Sequence, residues 1–271
     1  MTDRLEIEIN EYHRDWEYLS PSKLEMMASR WDRGEPIFSP HVFKAHQDGL
    51  IPFRKSDAMD LGSLVDAAIT EPDTMPLRFQ KGPCEDRRVK LWKDAQAAAE
   101  PATLIQPSLW DAATSMCLAF QCNLYRPKDA PVARQPTYRF ERKGIKLKCR
   151  PDLEFAQQVC EIKTTRHVTI TEWVRDAFAY GYHRQAAVQR WGAVKPIWHF
   201  VISSQPPYPC WAFQFTDDQL LVGERQVDLL LEKYRDCRDF CDWSAPGSAD
   251  FNVMQAPLWI LPDSMQNEIV P

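Results

Sequence analysis

The feature that most constrains this chain is a pair of short alternating segments, residues 145–152 and 159–163, separated by only a few residues. Successive side chains of a strand point to opposite faces, so alternation of apolar and charged residues predicts strands with one buried face. Continued through its proline, the first segment places Asp152 on its charged face, and the same parity places Glu161 and Lys163 together on the second. The short connection predicts that the two strands are antiparallel neighbours, so that Asp152 and Glu161 converge.

Such a site has a definite chemistry, because two carboxylates side by side repel each other unless a proton or a cation lies between them. Mg²⁺ takes oxygen ligands and keeps water molecules for reaction, and the lysine adds a donor toward water or phosphate. Asp152, Glu161 and Lys163 therefore indicate phosphodiester hydrolysis, in which metal ions orient the attacking water and offset negative charge. Taken alone, a proline–aspartate pair followed by Glu-x-Lys also occurs by chance in charged proteins.

The rest of the sequence predicts one mixed α/β domain: a helical part over about 1–130, a catalytic sheet core over about 131–241 and a tail over 242–271. Apolar residues at helical spacing predict helices, and alternating runs between turn residues predict strands. The predicted helices cover 22–30, 56–70, two segments within 86–125, 170–191 and 217–240, and the predicted strands cover 138–141, 145–149, 159–163, 198–202 and 211–215. We expect a central mixed β-sheet built from the strands between 136 and 215 and flanked by the helices 56–70 and 170–191.

Each of the two flanking helices has a feature that indicates contact with the site, a glycine in the first and a polar stripe in the second. Gly62 costs the first helix about 1 kcal/mol relative to alanine, which indicates close approach of another group to its backbone. On the second helix, Tyr182, Gln185 and Gln189 recur at i, i+3 and i+7 and form one stripe. An amide beside an aromatic hydroxyl is suited to binding phosphate and water, although a helix with a solvated polar side has the same pattern.

The net charge of −5 excludes a generally basic nucleic-acid binder, so any DNA contact would need a local patch. Cations near the motifs are candidates for phosphate contacts, with surface solvation as the alternative for each. These candidates are Arg87, Arg88, Lys90, Lys93, Arg166 and Arg184. Trp92 could stack on a base or belong to the core.

The eight cysteines contain no CxxC pair, which predicts reduced thiols in a cytoplasmic protein. Cys237 and Cys241 lie one helical turn apart and are interpreted as core residues, with a metal or iron–sulfur role as the alternative. No apolar run approaches the roughly 18 residues of a membrane span, so we expect no membrane partner.

Four segments, taken in order, resemble the RecE-type 5′-to-3′ exonucleases (the exonuclease VIII family), a branch of the PD-(D/E)xK nuclease superfamily related to lambda exonuclease. They are Ser20-Pro21-Ser22-Lys23-Leu24; Leu61-Gly62-Ser63-Leu64-Val65-Asp66 with Glu71-Pro72; Cys149-Arg150-Pro151-Asp152 with Glu161-Ile162-Lys163-Thr164-Thr165; and Tyr182-His183-Arg184-Gln185-Ala186. Each segment is weak alone, but the ordered set spans residues 20–190 and is specific. The resemblance implies a PD-(D/E)xK nuclease core.

The resemblance also implies roles for individual residues. Asp152 and Glu161 would be metal ligands together with the Ile162 carbonyl, and Lys163 would position the nucleophilic water. Gln185 and Tyr182 would organise the phosphate side of the site. Asp66 stands where the helix motif usually carries histidine. Because aspartate is also a ligand for Mg²⁺ or Mn²⁺, Asp66 could hold a second ion, or it could be a surface residue in a weakened site.

Beyond the site, the resemblance implies 5′-to-3′ digestion of linear double-stranded DNA ends, a ring-shaped homo-oligomer, and a single-strand annealing protein as partner in phage-type recombination. The setting would be the cytoplasm of a bacterial or phage-infected cell. Two alternatives stay open: a related nuclease that acts on single strands and holds an iron–sulfur cluster, and a non-cleaving, nuclease-like DNA-binding or inhibitory protein. A role for Glu141 next to the site also stays open.

Overall fold

The protein is described by a computed structural model that covers residues 2–51 and 56–245. Most helices follow the predicted signals: the helix predicted over 56–70 begins after the Ser56 side chain accepts a hydrogen bond from the Met59 amide. The helices are α1 (Ile9–Arg14), α2 (Pro21–Glu25), α3 (Pro40–Gln47), α4 (Asp57–Thr70), α5 (Met75–Arg78), α6 (Lys90–Ala99), α7 (Pro107–Gln121), α8 (Ile170–Ala179), α9 (Tyr182–Ala193) and α10 (Asp217–Asp239). None of the helices in these two ranges is long and apolar enough to cross a bilayer.

The strands form two larger sheets and two small ribbons. They are β1 (Asp3–Leu5), β2 (Ala28–Asp32), β3 (Glu35–Phe38), β4 (Phe79–Lys81), β5 (Thr103–Ile105), β6 (Ala133–Arg134), β7 (Thr137–Arg142), β8 (Ile145–Cys149), β9 (Leu153–Glu154), β10 (Val159–Thr165), β11 (Ile197–Ser203) and β12 (Cys210–Phe213). One sheet has the order β12-β11-β10-β9-β6 and the other β1-β7-β8, while β2 pairs with β3 and β4 with β5. The residues before 130, predicted to be helical, therefore also carry strands.

The five-stranded sheet is mixed, with β10 parallel to β11 and antiparallel to β9. Helices α4 and α7 pack on the face that carries Cys160 and Ile162. Helices α8 and α9 pack on the opposite face, around Val159 and Val201. A central mixed sheet flanked by helices is thus confirmed, and the predicted parity of β10 holds.

The predicted pairing of the first two segments is wrong. The hairpin of β7 and β8 belongs to the three-stranded sheet, and β10 pairs with β9 instead of β8. The chain leaves the five-stranded sheet at Gln135 and returns to it at Asp152, and the two crossing points are joined by a hydrogen bond of 2.9 Å from the Gln135 amide to the Asp152 carbonyl. Asp152 therefore approaches β10 from a junction between sheets.

Two predicted helices also end earlier than expected. The helix predicted over 170–191 is divided into α8 and α9 by Gly181, whose φ of +75° lies in the left-handed region that glycine adopts without strain. The helix predicted over 22–30 stops at Glu25, because Arg33 and Gly34, both with positive φ, form a two-residue turn that pairs β2 with β3. The predicted single domain, with boundaries near 130 and 241, stays a prediction, and residues 246–271 of its tail lie outside the described residues.

Candidate active site

Asp152 lies where β9 ends beside β10. The β9 pairing reaches only Val159 and Cys160, so the next inward-facing amide of β10, that of Ile162, has no strand partner on this side. The Asp152 carboxylate takes the place of a strand carbonyl and accepts a hydrogen bond of 2.6 Å from this amide. One oxygen of Asp152 is thereby fixed at the edge of the gap in the sheet.

Glu161 is almost fully buried and receives three side-chain donors. Its Oε1 accepts from Lys163 Nζ at 2.6 Å and from Gln185 Nε2 at 2.7 Å. Its Oε2 accepts from Gln189 Nε2 at 2.6 Å. Lys163 Nζ also lies 4.9 Å from the centre of the Tyr182 ring. The predicted stripe of α9 therefore faces the predicted carboxylate and lysine.

Asp66 reaches the same region from α4, on the other side of the sheet. The approach of α4 is close, because a Cβ added at Gly62 would lie 3.3 Å from Thr164 Oγ1 of β10. Asp66 Oδ2 accepts a hydrogen bond of 3.0 Å from Gln135 Nε2. Its Oδ1 is buried and has no hydrogen-bond partner among the residues that the structure describes. A buried carboxylate oxygen without a donor is unfavourable unless a proton or a cation binds it.

The three carboxylates interact electrostatically. Burial, and then the charge of Glu161, raise the pKa of Asp66 to about 7. Burial and the charges of Glu161 and Asp66 raise the pKa of Asp152 well above its ordinary value. Burial lowers the pKa of Lys163, but the charges of Glu161, Tyr182 and Asp152 together outweigh it, and the net shift is upward. Lys163 and, for Asp66, the charge of Arg78 oppose these shifts without cancelling them, so the pKa values of Asp66 and Asp152 stay raised.

This donor set fits a divalent cation that prefers oxygen. Asp66 and Asp152 lose their protons only at a cost, because burial and then the neighbouring carboxylates raise both pKa values, and a cation between them would offset that cost. Among the described residues, no three His, Cys, Asp or Glu side chains already stand in a metal-ligating arrangement. In this arrangement Glu161 accepts hydrogen bonds from Lys163, Gln185 and Gln189.

The cations predicted to contact DNA differ in solvent exposure and in ion pairing. Lys90, Lys93 and Arg166 are exposed, and Arg88 is exposed and paired with Asp86. Arg184 is only 2% exposed, so its predicted contact with phosphate is wrong. Its guanidinium makes a bidentate ion pair with Glu25, at 2.5 and 2.9 Å, and donates to Gln226 at 2.9 Å.

Trp92 and Cys237, for which both a functional and a core role were considered, are core residues. Trp92 is a core residue, and the Arg87 guanidinium lies 5.8 Å from its ring, which favours packing over base stacking. Cys237 is buried in a core with α9 and the β7–β8 hairpin, whereas Cys241 is exposed. Glu141 is exposed and pairs across the hairpin with Lys146.

Two residues near the site, Gln135 and His199, were not selected from the sequence. Gln189 was placed on the predicted stripe by its spacing but was given no role at the site. Gln135 precedes a proline in an irregular segment and has no periodic signal. His199 lies opposite Glu161 on β11, and both of its ring nitrogens are buried and have no hydrogen-bond partner within the described part of the chain. Burial and the charge of Lys163 lower the pKa of His199 to about 3, so the ring is neutral at pH 7.

Residues 22–251 match a family described as a PDDEXK-like domain of unknown function, DUF3799. The fold is similar to that of a protein from Eubacterium rectale provisionally named an exonuclease, with a TM-score of 0.65, 16% identity, and coverage of 93% of this chain and 96% of that one. An alkaline exonuclease from Laribacter hongkongensis also matches, with a TM-score of 0.30, 13% identity, and coverage of 57% of this chain and 84% of that one. A score this low carries no argument about the fold. No protein of curated function is significantly similar to the sequence.

Proposed function

The chain belongs to the PDDEXK-like family DUF3799, and on that premise we propose that it is a metal-dependent deoxyribonuclease that digests linear double-stranded DNA from its ends. One observation carries the proposal: the buried carboxyl groups of Asp66, Asp152 and Glu161 raise one another's need for positive charge beside Lys163, and one oxygen of Asp66 has no partner among the described residues. Ordinary structural ion pairs balance their charges, whereas this cluster is left short of positive charge.

Mg²⁺ or Mn²⁺, with two ions as the expected number, would be held by Asp66, Asp152, Glu161 and the carbonyl of Ile162. A bound ion of this kind supplies an activated water and offsets negative charge on the scissile phosphate. Asp66 would reach the ion from α4, and Asp152 from the junction between the two larger sheets.

Lys163 has the second role. Its Nζ is shared between Glu161 Oε1 and the face of the Tyr182 ring, so it is held at a defined position and keeps its charge. From there its remaining N–H bonds can donate to a water or a phosphate oxygen. Gln185 and Gln189 fix Glu161 from α9, and Tyr182 covers the lysine. These contacts support positioning of the nucleophilic water by Lys163.

The finer activity is proposed from the resemblance of the sequence motifs to the RecE-type exonucleases. It comprises 5′-to-3′ direction, a ring-shaped homo-oligomer around the DNA, a single-strand annealing protein as partner, and recombination in the cytoplasm of a bacterial or phage-infected cell. The fold shared with the Eubacterium rectale protein is consistent with this proposal but does not distinguish the direction.

The test compares linear, nicked and circular duplexes incubated with Mg²⁺, Mn²⁺ or a chelator. We expect progressive loss of the linear duplex alone, only with metal, and a reduction of about 100-fold or more in Lys163→Ala. Lys44→Ala is the matched control, because Lys44 forms a Lys–carboxylate contact of the same 2.6 Å length with Asp48 at the surface. Absence of cleavage with either metal, or full activity of Lys163→Ala, would contradict the proposal. End-labelled substrates then report the direction.

A further inference from the structure

Gln135 occupies an unusual backbone position at the junction of the two larger sheets. It lies between β6 and β7, directly before Pro136, and its φ is +49°. Few residues other than glycine adopt the left-handed region, and a following proline disfavours helical backbone conformations further. Such a conformation persists only where the surrounding contacts over-determine it, and it often lies beside a functional site.

The contacts of Gln135 join the elements that carry the acidic residues. Its amide N–H donates to the Asp152 carbonyl at 2.9 Å. Its side chain is buried, and Nε2 donates to Asp66 Oδ2 at 3.0 Å and to Thr70 Oγ1 at 3.1 Å. Its Oε1 accepts from Arg150 Nη2 at 3.2 Å. A single residue thus contacts α4, the Asp152 junction and the end of β8.

The direction of the Gln135 amide follows from its neighbours. Arg150 has donors only, so the carbonyl end of the amide must face it and the NH₂ end must face Asp66. Arg150 is itself held by a hydrogen bond of 2.7 Å from Nη1 to the carbonyl of Ile7. Thr70 is fixed as well, because its hydroxyl donates to the Asp66 carbonyl at 2.8 Å. The amide cannot turn over without losing contacts at both ends.

The consequence concerns the two oxygens of Asp66. Gln135 donates to Oδ2 and so restricts rotation of the carboxylate, whereas the buried Oδ1 has no partner among the described residues and can accept a ligand. We propose that Gln135 is a positioning residue that aims Oδ1 of Asp66 at a divalent cation and, through its backbone, keeps Asp66 in register with Asp152. This inference rests on the proposed metal-dependent function. It adds the residue that makes Asp66 a one-oxygen ligand.

The experiment measures Mn²⁺ binding to the metal-free, full-length protein by titration calorimetry. Gln135→Asn is the main variant, because asparagine tolerates positive φ but its shorter amide cannot reach both Asp66 and Arg150. Gln135→Met, similar in size but without hydrogen-bonding groups, is the second. We expect about tenfold weaker Mn²⁺ binding in both, as is usual for groups that orient a metal ligand. Gln205→Met is the control, at an exposed turn.

A double-mutant comparison separates positioning from a general structural effect. If Gln135 acts through Asp66, adding Gln135→Asn to Asp66→Asn should cause no further loss of Mn²⁺ affinity. In nuclease assays the half-saturating Mg²⁺ concentration should rise about tenfold in Gln135→Asn, while the rate at saturating Mg²⁺ stays close to that of the wild type.

The outcomes are distinct. Wild-type affinity in Gln135→Asn and Gln135→Met, or a further tenfold loss on the Asp66→Asn background, would overturn the inference and leave the proposed function standing. A wild-type protein that binds no Mn²⁺ would overturn both. Circular dichroism confirms that each variant is folded before titration, and Gln135→Met supplies the result if Gln135→Asn does not fold.

Discussion

The two sides of the acidic site differ in how their charge is compensated. On the α9 side, Glu161 accepts three hydrogen bonds, two at Oε1 from Lys163 and Gln185 and one at Oε2 from Gln189. On the α4 side, Asp66 has one amide donor and a buried oxygen without a partner among the described residues. The protein therefore neutralises one carboxylate with its own groups and leaves another in need of a proton or a cation. We therefore expect Asp66 to serve function at the expense of stability, because a group kept for binding is often unfavourable when its ligand is absent.

The largest expected effect is the loss of catalysis on removal of Asp66, the carboxylate on the α4 side. Asp66→Ala should reduce metal-dependent cleavage of linear duplex by more than about 100-fold. Loss of a group that only orients a metal ligand usually reduces affinity or activity by at most roughly 100-fold. The reason is that the substitution removes an oxygen ligand instead of its support. The measurement is the initial rate of nucleotide release at saturating Mg²⁺ and again at saturating Mn²⁺.

Asp60→Ala provides the matched control for this loss, since Asp60 lies on the same helix and makes none of the contacts described for Asp66. It should retain wild-type turnover. Wild-type turnover in Asp66→Ala would instead show that Asp66 is a spectator, and the difference between the two sides would then have no catalytic meaning.

A second prediction concerns stability without metal, where the two sides should respond with opposite sign. At pH 8, Asp66→Asn should stabilise the fold by on the order of 2 kcal/mol, because it removes a buried carboxylate that is costly to ionise. Glu161→Gln should destabilise by a similar amount, because it leaves the charge of Lys163 buried without its partner. Urea unfolding with a chelator present measures both.

The pH dependence of the stability difference between Asp66→Asn and the wild type is the control for this prediction. The pKa of Asp66 is about 7 in the folded protein and near its ordinary 3.8 when unfolded, so the folded state binds the proton more tightly. The resulting stability is complete below about pH 3.8 and is lost as the pH rises through 7. The advantage of Asp66→Asn over the wild type should therefore grow between pH 5 and 8. A constant difference across that interval, or destabilisation at pH 8, would refute the account of Asp66.

Much of this fold was accessible from the sequence because its signals are local. Alternation in β10 correctly placed Glu161 and Lys163 on one face, and apolar residues at helical spacing located α4. The neighbour of β10 was not accessible, because the choice between β8 and β9 depends on how the chain crosses between two sheets. The break between α8 and α9 was overlooked because one glycine inside an apolar, periodic stretch is a weak signal.

The site divides in the same way. Residues recognised by spacing, such as Gln185, lie where their period places them. Gln135 depends on a junction whose geometry has no sequence period, so its contacts could be seen only in three dimensions. Arg184 was misjudged because a charged residue in a helix is usually exposed, whereas here the partner, Glu25, is distant in sequence.

The smallest effect is expected at the exposed cations near the site, which contrast with its buried carboxylates. Arg166 follows directly after β10, which carries Glu161 and Lys163, and is exposed to solvent. If it contacts a phosphate, Arg166→Ala should weaken duplex binding modestly and reduce the slope of log affinity against log salt by about 1, because one fewer counterion is released. Binding is measured between about 50 and 200 mM salt in a chelator, so that cleavage does not interfere. Arg225→Ala, an exposed arginine on α10, should leave the slope unchanged, and equal slopes in all three proteins would place Arg166 outside the DNA path.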